Sequence, residues 1–353
     1  CIRDRTNTED TGMTPCMLIL TGLTTSRKNK EEGTLKERNI ILEGKLKSWL
    51  LTVDVEKLAA KQQGQLILGL EKLYQATGDA DYHTFAKKAV DNLVAEDGTY
   101  AKAEGSLSDN LFGNALFAVR AMDTVYNPQD TAAEKTEKAI LKQEKVMTSG
   151  ARFDATETCA GTFSTKLSDA YLTQPFYMNY ETKFGGKEQY NDVIAQFNIL
   201  QEKAYPSVEN ELGNGTADLE MAAYAAAAVD TMEVMEQPLY EIFDRLRQIL
   251  KQAVAAMNTK SLDTFAKEAQ EAGLFYVYAV LKGCRMKALI TEKYEKAALD
   301  ILEAAEAKAQ EDDVFGADTA YTAVLVTAYA ESLRNRESVS YTHLRAHETL
   351  SDL

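Results

Sequence analysis

One short stretch of the chain brings an acid, a phenol and an amide together. Asp169, Tyr171 and Gln174 follow one another closely, and the apolar positions around them recur every three to four residues. That spacing is typical of one face of a helix. An acid at the start of a helix, followed by a hydroxyl and an amide, is suited to sugar binding. The alternative is that Asp169 only caps the helix, next to Ser168, which is a common N-cap residue type. Both interpretations stay open at this point.

The segment around these residues predicts a helical hairpin from Ser168 to Leu200. Gly185 and Gly186 interrupt the apolar period and supply the backbone freedom that ends a helix. Tyr190 then resumes the same period. We therefore expect two helices joined by a short loop, with the acid at the opening of the first helix.

The composition limits which chemistry is available. Four scattered cysteines show no CxxC spacing, and two of the three histidines, His343 and His347, lie near the end of the chain. These features argue against a zinc site, a disulfide framework and a Ser-His-Asp triad. Acid–base chemistry then falls to carboxylates, assisted by Tyr or Lys. We expect no metal, no cofactor and a reducing, cytoplasmic location.

The charge limits the class of partner. A net charge of −15 argues against nucleic acid and against an anionic membrane surface. It leaves a small anionic substrate open, because a pocket can oppose the overall charge. The chain has no apolar run of about 18 residues, so no membrane span is expected. The short apolar segment Met13–Leu23 lacks the form of a signal peptide. The sequence does not predict the oligomeric state.

The remainder of the chain predicts helix after helix. Ala, Glu, Lys and Leu are abundant, Pro occurs only five times, and no strand run, GxGxxG or P-loop motif is present. Several helices begin with a tyrosine shortly after an acidic or glycine-containing loop, at spacings too irregular for a tetratricopeptide array. These tyrosines are Tyr82, Tyr190, Tyr240 and Tyr294. The pattern favours an all-α domain of repeated helical hairpins.

The two ends of the chain differ from its body. Residues 335–353 lack the Ala/Leu-rich pattern, and Ser338–Leu353 resembles the translation of a sequencing adapter. Cys1–Arg5 resembles the matching sequence at the other end. We expect 1–40 to be a disordered or foreign segment and 335–353 to be a foreign tail, on either side of one helical domain at 41–334. A basic, His-rich tail that binds a partner is the alternative for the C-terminal segment.

One segment of the chain is distinctive, QPFYMNYETKFGGKEQYND at Gln174–Asp192. Four others accompany it: Gly69–Tyr82, Leu107–Asn110, Val229–Met235 and Tyr278–Leu289. These segments resemble motifs of the unsaturated glycuronyl hydrolases, glycoside hydrolase families 88 and 105. The resemblance is greatest to the unsaturated rhamnogalacturonyl hydrolase group. The resemblance as a whole extends over roughly residues 45 to 334.

This resemblance implies an (α/α)6 barrel, a toroid of six helical hairpins, complete or incomplete. It implies a hydrolase that acts on an unsaturated oligosaccharide derived from pectin and releases a 4,5-unsaturated uronic acid by hydrating its double bond. By this resemblance Asp169 is the candidate catalytic acid and Asp109 matches a second active-site aspartate. Tyr171, Gln174 and Asn110 are the candidate substrate-binding residues. We expect the two carboxyls to face each other across a cavity, within about 10 Å.

The chain also departs from the family pattern, which keeps a second function open. Aligned without a gap, the family's catalytic Asp falls on Ser168, and Asp169 occupies the following Gly position. The family's Phe-Trp-His is Phe163-Ser164-Thr165 here, and its Arg-Ser-x-Gly-Trp is Glu220-Met221-Ala222-Ala223-Tyr224. The alternative is a non-catalytic or inactive relative that acts as a carbohydrate-binding or interaction scaffold.

Overall fold

The computed structural model describes residues 39–103, 106–122, 131–148, 166–235, 239–268, 270–311 and 314–351. The chain divides into two units, Cys1–Leu51 and Thr52–Leu353. In the first unit, one helix, α1, occupies residues 39–50. All the remaining described helices, and both cavities described below, belong to the second unit. The family motif Phe163-Ser164-Thr165 and most of the segment 1–40 lie outside the described residues.

The second unit is built from helices. It begins with a 3-10 turn at Val55–Lys57. The helices that follow are α2 (Ala60–Thr77), α3 (Ala80–Leu93), α4 (Ser108–Met122), α5 (Thr131–Thr148), α6 (Asp169–Lys183), α7 (Tyr190–Lys203), α8 (Tyr205–Asn210), α9 (Gly215–Val234), α10 (Tyr240–Lys260), α11 (Leu262–Glu268), α12 (Glu271–Arg285), α13 (Thr291–Glu311), α14 (Val314–Ala317) and α15 (Thr319–Ser351). No strand occurs in the described ranges, and no helix there is long and apolar enough to cross a membrane.

Six of the described helices close into a ring. Helix α2 packs on α4, α4 on α6, α6 on α9, α9 on α12, α12 on α15, and α15 returns to α2. Helices α3, α5, α7, α10 and α13 lie outside this ring and alternate with its members along the chain. Because each outer helix returns the chain to the same end, the inner helices all run in one direction. The fold is therefore the all-α (α/α)6 barrel that the sequence analysis predicted.

The position of a helix in the barrel explains its pattern of apolar residues. An outer helix needs only one apolar face, and α3 buries Tyr82, Ala86, Ala89, Val90 and Leu93 at helical spacing. An inner helix is covered on all sides. In α12 every residue from Ala272 to Cys284 is buried, so its sequence shows no polar face. The small side chains of Ala222–Ala228 in α9 let the neighbouring inner helices approach closely.

Three local predictions from the sequence need correction. The Lys282-Gly283 pair predicts a joint between two segments, Leu274–Leu281 and Arg285–Ile290, but α12 continues to Arg285. Gly283 instead makes room for a side chain, because an added Cβ would lie 2.8 Å from Leu289 Cδ1. The predicted irregular stretch Tyr205–Ala217 contains α8 and the first turn of α9. The last helix, predicted to end at Ser332, runs on to Ser351. The foreign origin of 335–353 stays a prediction.

A glycine-to-alanine pair tests the close packing of the ring. A Cβ at Gly64 of α2 would lie 2.8 Å from the Phe112 backbone nitrogen and 2.9 Å from the Leu111 carbonyl carbon of α4. Backbone cannot move aside cheaply, so Gly64→Ala should lower the free energy of unfolding by about 1–3 kcal/mol. A Cβ at Gly44 of α1 meets nothing within 4 Å, so Gly44→Ala should be neutral or stabilising. Urea unfolding followed by circular dichroism gives the free energy of unfolding of both variants. Equal free energies for Gly64→Ala and Gly44→Ala would contradict the close packing of α2 on α4.

Candidate active site at the N-terminal ends of the inner helices

A cavity of about 180 Å³ opens where the inner helices begin. We call it the N-terminal cavity. Its walls come from the first turns of α2, α6 and α9, with one aromatic side chain from α12. The lining residues are Lys61, Lys166, Ser168, Asp169, Tyr171, Leu172, Thr216, Leu219, Glu220, Ala223 and Phe275. Residues that are far apart in the sequence meet here because the inner helices run in the same direction.

Asp169 is the first residue of α6 and lines this cavity. Ser168 occupies the N-cap position, but its backbone is already helical (φ −60°, ψ −25°) and its side chain makes no capping hydrogen bond. The Asp169 carboxylate likewise accepts no hydrogen bond from the described residues, so the capping interpretation is not supported. Both Ser168 and Asp169 line the cavity, so the one-residue departure from the family pattern leaves an acid on its wall.

The surroundings of Asp169 keep its carboxyl partly protonated near neutral pH. Burial raises the pKa of Asp169 to about 6, and the negative charge of Glu220 adds to this effect. The ammonium groups of Lys166 and Lys61 act in the opposite direction. A carboxyl with a pKa near the working pH can both give and take a proton, which is the requirement for general acid–base catalysis.

Glu220 of α9 holds the start of α6 in place. Its Oε2 accepts a hydrogen bond from the Leu167 backbone N–H, at 3.1 Å. The same carboxylate lines the cavity beside Asp169. Glu220 therefore positions the acid and also raises its pKa. It stands at the position where the family pattern has an arginine.

Two aromatic rings form an apolar wall of the cavity. The ring of Tyr171 meets the ring of Phe275 edge to face, with centroids 5.0 Å apart and planes at 77°. Burial raises the pKa of Tyr171 well above its usual value, so the hydroxyl stays protonated and can donate a hydrogen bond. Aromatic rings with a nearby donor suit the mixed apolar and polar surface of a sugar.

The mouth of the cavity contains charges of both signs. Lys61 and Lys166 are exposed cations beside Asp169 and Glu220. Glu271 of α12 lies near enough to Lys61 to be affected by it, although burial has the larger effect and raises the pKa of Glu271. In the described ranges, no group of three or more His, Cys, Asp or Glu side chains is placed to hold a metal ion.

The predicted residues Asp109 and Asn110 lie outside the wall of this cavity. Asp109, in the first turn of α4, is 1% exposed. One turn further on, a Cβ at Gly113 would lie 2.8 Å from the Phe176 ring of α6. Because residues four apart share a helix face, Asp109 lies on the side of α4 that packs against α6. Asp109 is not among the residues that line the N-terminal cavity, so the pairing of the two carboxyls across one cavity stays a prediction. The buried amide of Asn110 has no hydrogen-bond partner in the described part of the chain.

Gln174 also points elsewhere. Its Nε2 donates hydrogen bonds to Gln196 Oε1 and to Thr173 Oγ1, both at 3.3 Å. Gln196 belongs to the outer helix α7, so the Gln174 amide lies between the inner and outer layers, away from the cavity. The apolar period could not reveal this, since α6 is buried on nearly all sides.

The sequence analysis missed several residues of the site. Lys61 and Phe275 come from distant segments of the chain, and Lys166 lies shortly before α6. Glu220 was noticed only as a departure from a family motif. One signal in the sequence could have indicated these residues. Charged residues recur in the first turns of alternate predicted helices, and in an (α/α)6 barrel these first turns meet at one end.

Comparison with known proteins supports the fold. No family model matches the sequence, and no curated protein matches it. Among solved structures, the chain is similar to a glycoside hydrolase from family 105 of C. acetobutylicum ATCC 824. The chain shares the fold of that enzyme. The two are 18% identical, with a TM-score of 0.61, and the match covers 82% of this chain and 98% of the other. At this level of identity the likeness shows the fold alone.

Proposed function

We propose that the chain is a hydrolase that releases a 4,5-unsaturated uronic acid from pectin-derived oligosaccharides by hydrating its double bond. The observation that carries the proposal is the Asp169 carboxyl, which lines the N-terminal cavity without a hydrogen-bond partner among the described residues and has a pKa of about 6. The similarity in fold to a family 105 glycoside hydrolase supports a glycosidase-like activity. The motifs around Gln174–Asp192 support the unsaturated substrate.

In this mechanism, one carboxyl both gives and takes a proton. Protonated Asp169 donates its proton to C4 of the unsaturated sugar, and positive charge develops at C5. A water molecule adds at C5 and transfers a proton to the Asp169 carboxylate, which restores the acid. The resulting hemiketal opens and releases the aglycone. One water is consumed, and the chemistry requires one suitably placed carboxyl rather than an acid and a separate nucleophile.

The cavity offers groups for each part of such a substrate. The rings of Tyr171 and Phe275 provide an apolar surface for one face of the sugar. The ammonium groups of Lys61 and Lys166 provide positive charge for the uronate carboxylate, where the family pattern uses an arginine. The volume of about 180 Å³ is small beside pockets for drug-sized ligands and suits a single sugar ring.

The direct test uses the purified chain and unsaturated disaccharides from a pectin lyase digest. Hydration removes the conjugated alkene, so we expect its ultraviolet absorbance to fall with time. A family 105 glycoside hydrolase serves as the positive control. If no unsaturated uronide is consumed while the control works, the proposal is rejected. Binding of the disaccharide without turnover would indicate the non-catalytic carbohydrate-binding relative instead.

The pH dependence follows from the role of Asp169 as an acid. Only the protonated form can donate to C4, so kcat/KM should fall about tenfold per pH unit above the pKa of about 6. Glu220→Gln removes a negative charge that raises this pKa, so the fall should begin at lower pH. Lys166→Gln removes a positive charge that lowers this pKa, so the fall in kcat/KM should begin at higher pH. Profiles that do not move in either variant would exclude Asp169 as the titrating group.

A further inference from the structure

A second cavity of about 280 Å³ lies at the other end of the barrel. We call it the C-terminal cavity. It is lined by the later turns of α2, α4, α6 and α9, and its apolar wall includes Leu68, Phe117 and Pro175. On α2, Lys61 lines the first cavity and Lys72 the second. At 1.5 Å per residue, these two positions are about 16 Å apart along the helix axis. The two cavities are therefore separate.

Three inner helices contribute polar side chains to the lining of this cavity. Asn114 of α4 and Asn179 of α6 line it, are only 8% and 7% exposed, and form no side-chain hydrogen bond within the described residues. Asp230 of α9 also lines it, is 4% exposed, and has a buried Oδ2 with no hydrogen-bond partner in the described part of the chain. Buried polar side chains are normally hydrogen-bonded. Their convergence on one cavity points to a polar ligand.

The carboxylates around this cavity already have cationic partners. Asp230 Oδ1 forms an ion pair with Lys282 and accepts a hydrogen bond from the Tyr278 hydroxyl. Glu233 pairs with Lys282 and with Arg285, the latter at 3.0 Å. These acids are therefore largely neutralised by groups behind the cavity wall, and they do not need a cationic ligand.

The two lysines of the cavity are less well neutralised. Lys72 Nζ is 3.7 Å from Asp230 Oδ1, a carboxylate oxygen that also forms an ion pair with Lys282. Burial lowers the pKa of Lys72 to about 8. Lys183 forms no ion pair in the described ranges; it is an exposed residue at the mouth of the cavity, and its ammonium lies over the Phe117 ring, 5.0 Å from the ring centroid. Lys72 is therefore a desolvated cation that shares its carboxylate oxygen with a second cation, which favours a further, anionic partner.

We propose that the C-terminal cavity binds a small polyhydroxylated carboxylate of about the size of one sugar acid. Its carboxylate lies by Lys72 and Lys183, and its hydroxyl groups bond to Asn114, Asn179 and Asp230 Oδ2. The apolar wall covers the C–H face of the ligand. A monoanion fits better than a phosphate dianion, because Asp230 and Glu233 line the same cavity and would repel the second negative charge.

Isothermal titration calorimetry on the full chain tests this site with four probes. We expect D-galacturonate to bind, and galactose, acetate and inorganic phosphate each to bind at least tenfold more weakly. Galactose lacks the carboxylate, acetate lacks the hydroxyl groups, and phosphate carries the additional charge. Equal affinity for galactose would overturn the role of the lysines. Tighter binding of phosphate would overturn the carboxylate assignment, and no galacturonate binding would overturn the site.

Substitutions locate the bound probe. Lys183→Gln and Asn179→Ala should each weaken galacturonate binding at least tenfold. Lys296→Gln, at an exposed lysine of the outer helix α13, should leave the affinity unchanged. If Lys61→Gln abolishes binding and Lys183→Gln does not, the probe lies in the N-terminal cavity and the proposal is overturned. Because the readout is binding alone, this result does not depend on whether the chain hydrates an unsaturated uronide.

Discussion

Replacing Asp169 with asparagine should lower turnover of an unsaturated disaccharide by about 10²–10⁴-fold. Asparagine has the same shape as the acid but cannot donate a proton to C4 or accept one from water. The carboxylate accepts no hydrogen bond from the described residues, so the substitution should leave the start of α6 intact. The loss of alkene absorbance gives kcat, and circular dichroism checks that the helical content is unchanged.

A neighbouring substitution provides the matched control. Ser168 lines the same cavity, occupies the position of the family's catalytic Asp, and makes no capping hydrogen bond. Ser168→Ala should therefore change turnover by no more than a few-fold. Unchanged turnover in Asp169→Asn would remove Asp169 from the mechanism. If Asp109→Asn alone then abolished activity, the buried aspartate of α4 would be the acid, and the resemblance would have assigned the two roles in reverse.

Much of the fold could be predicted because helix ends leave local signals. Gly186, in the loop that the sequence predicts, adopts a left-handed conformation (φ +71°) after α6, and Gly78 does so (φ +70°) at the end of α2. The number of hairpins came from the family resemblance. Closure of the ring could not be read from local pattern, since it depends on contacts between α2 and α15 at opposite ends of the barrel domain.

The site was less predictable than the fold, for a reason that lies in the barrel itself. Asp169 and Tyr171 were predicted and both line the N-terminal cavity. Gln174, on the same helix, is turned toward α7 instead. An inner helix is buried on nearly every side, so its hydrophobic period does not indicate which residues face the axis. Lys61, Lys166 and Phe275 reach the cavity from separate parts of the chain, which only the packing of the helices brings together.

The second large effect concerns stability. Asp230→Ala should lower the free energy of unfolding by about 3 kcal/mol, because the buried Lys282 ammonium then keeps only Glu233 of the two carboxylates that pair with it. Lys282 is 0% exposed and pairs with Asp230, and the Tyr278 hydroxyl donates to the same oxygen. Urea unfolding followed by circular dichroism measures the loss. Asp300→Ala, which breaks an exposed pair with Lys296 on α13, is the matched control and should change stability little.

The acid dependence of this contribution has a definite sign. Burial alone would raise the pKa of Asp230, but the ammonium groups of Lys282 and Lys72 hold it below the usual value of 3.8. The stabilisation is therefore present above about pH 4 and is lost as the pH falls through the lower folded-state pKa. If Asp230→Ala costs no more than Asp300→Ala, the buried pair contributes nothing net. If adding Lys282→Met to Asp230→Ala recovers much of the loss, the penalty comes from the incompletely compensated charge of the buried ammonium rather than from lost packing.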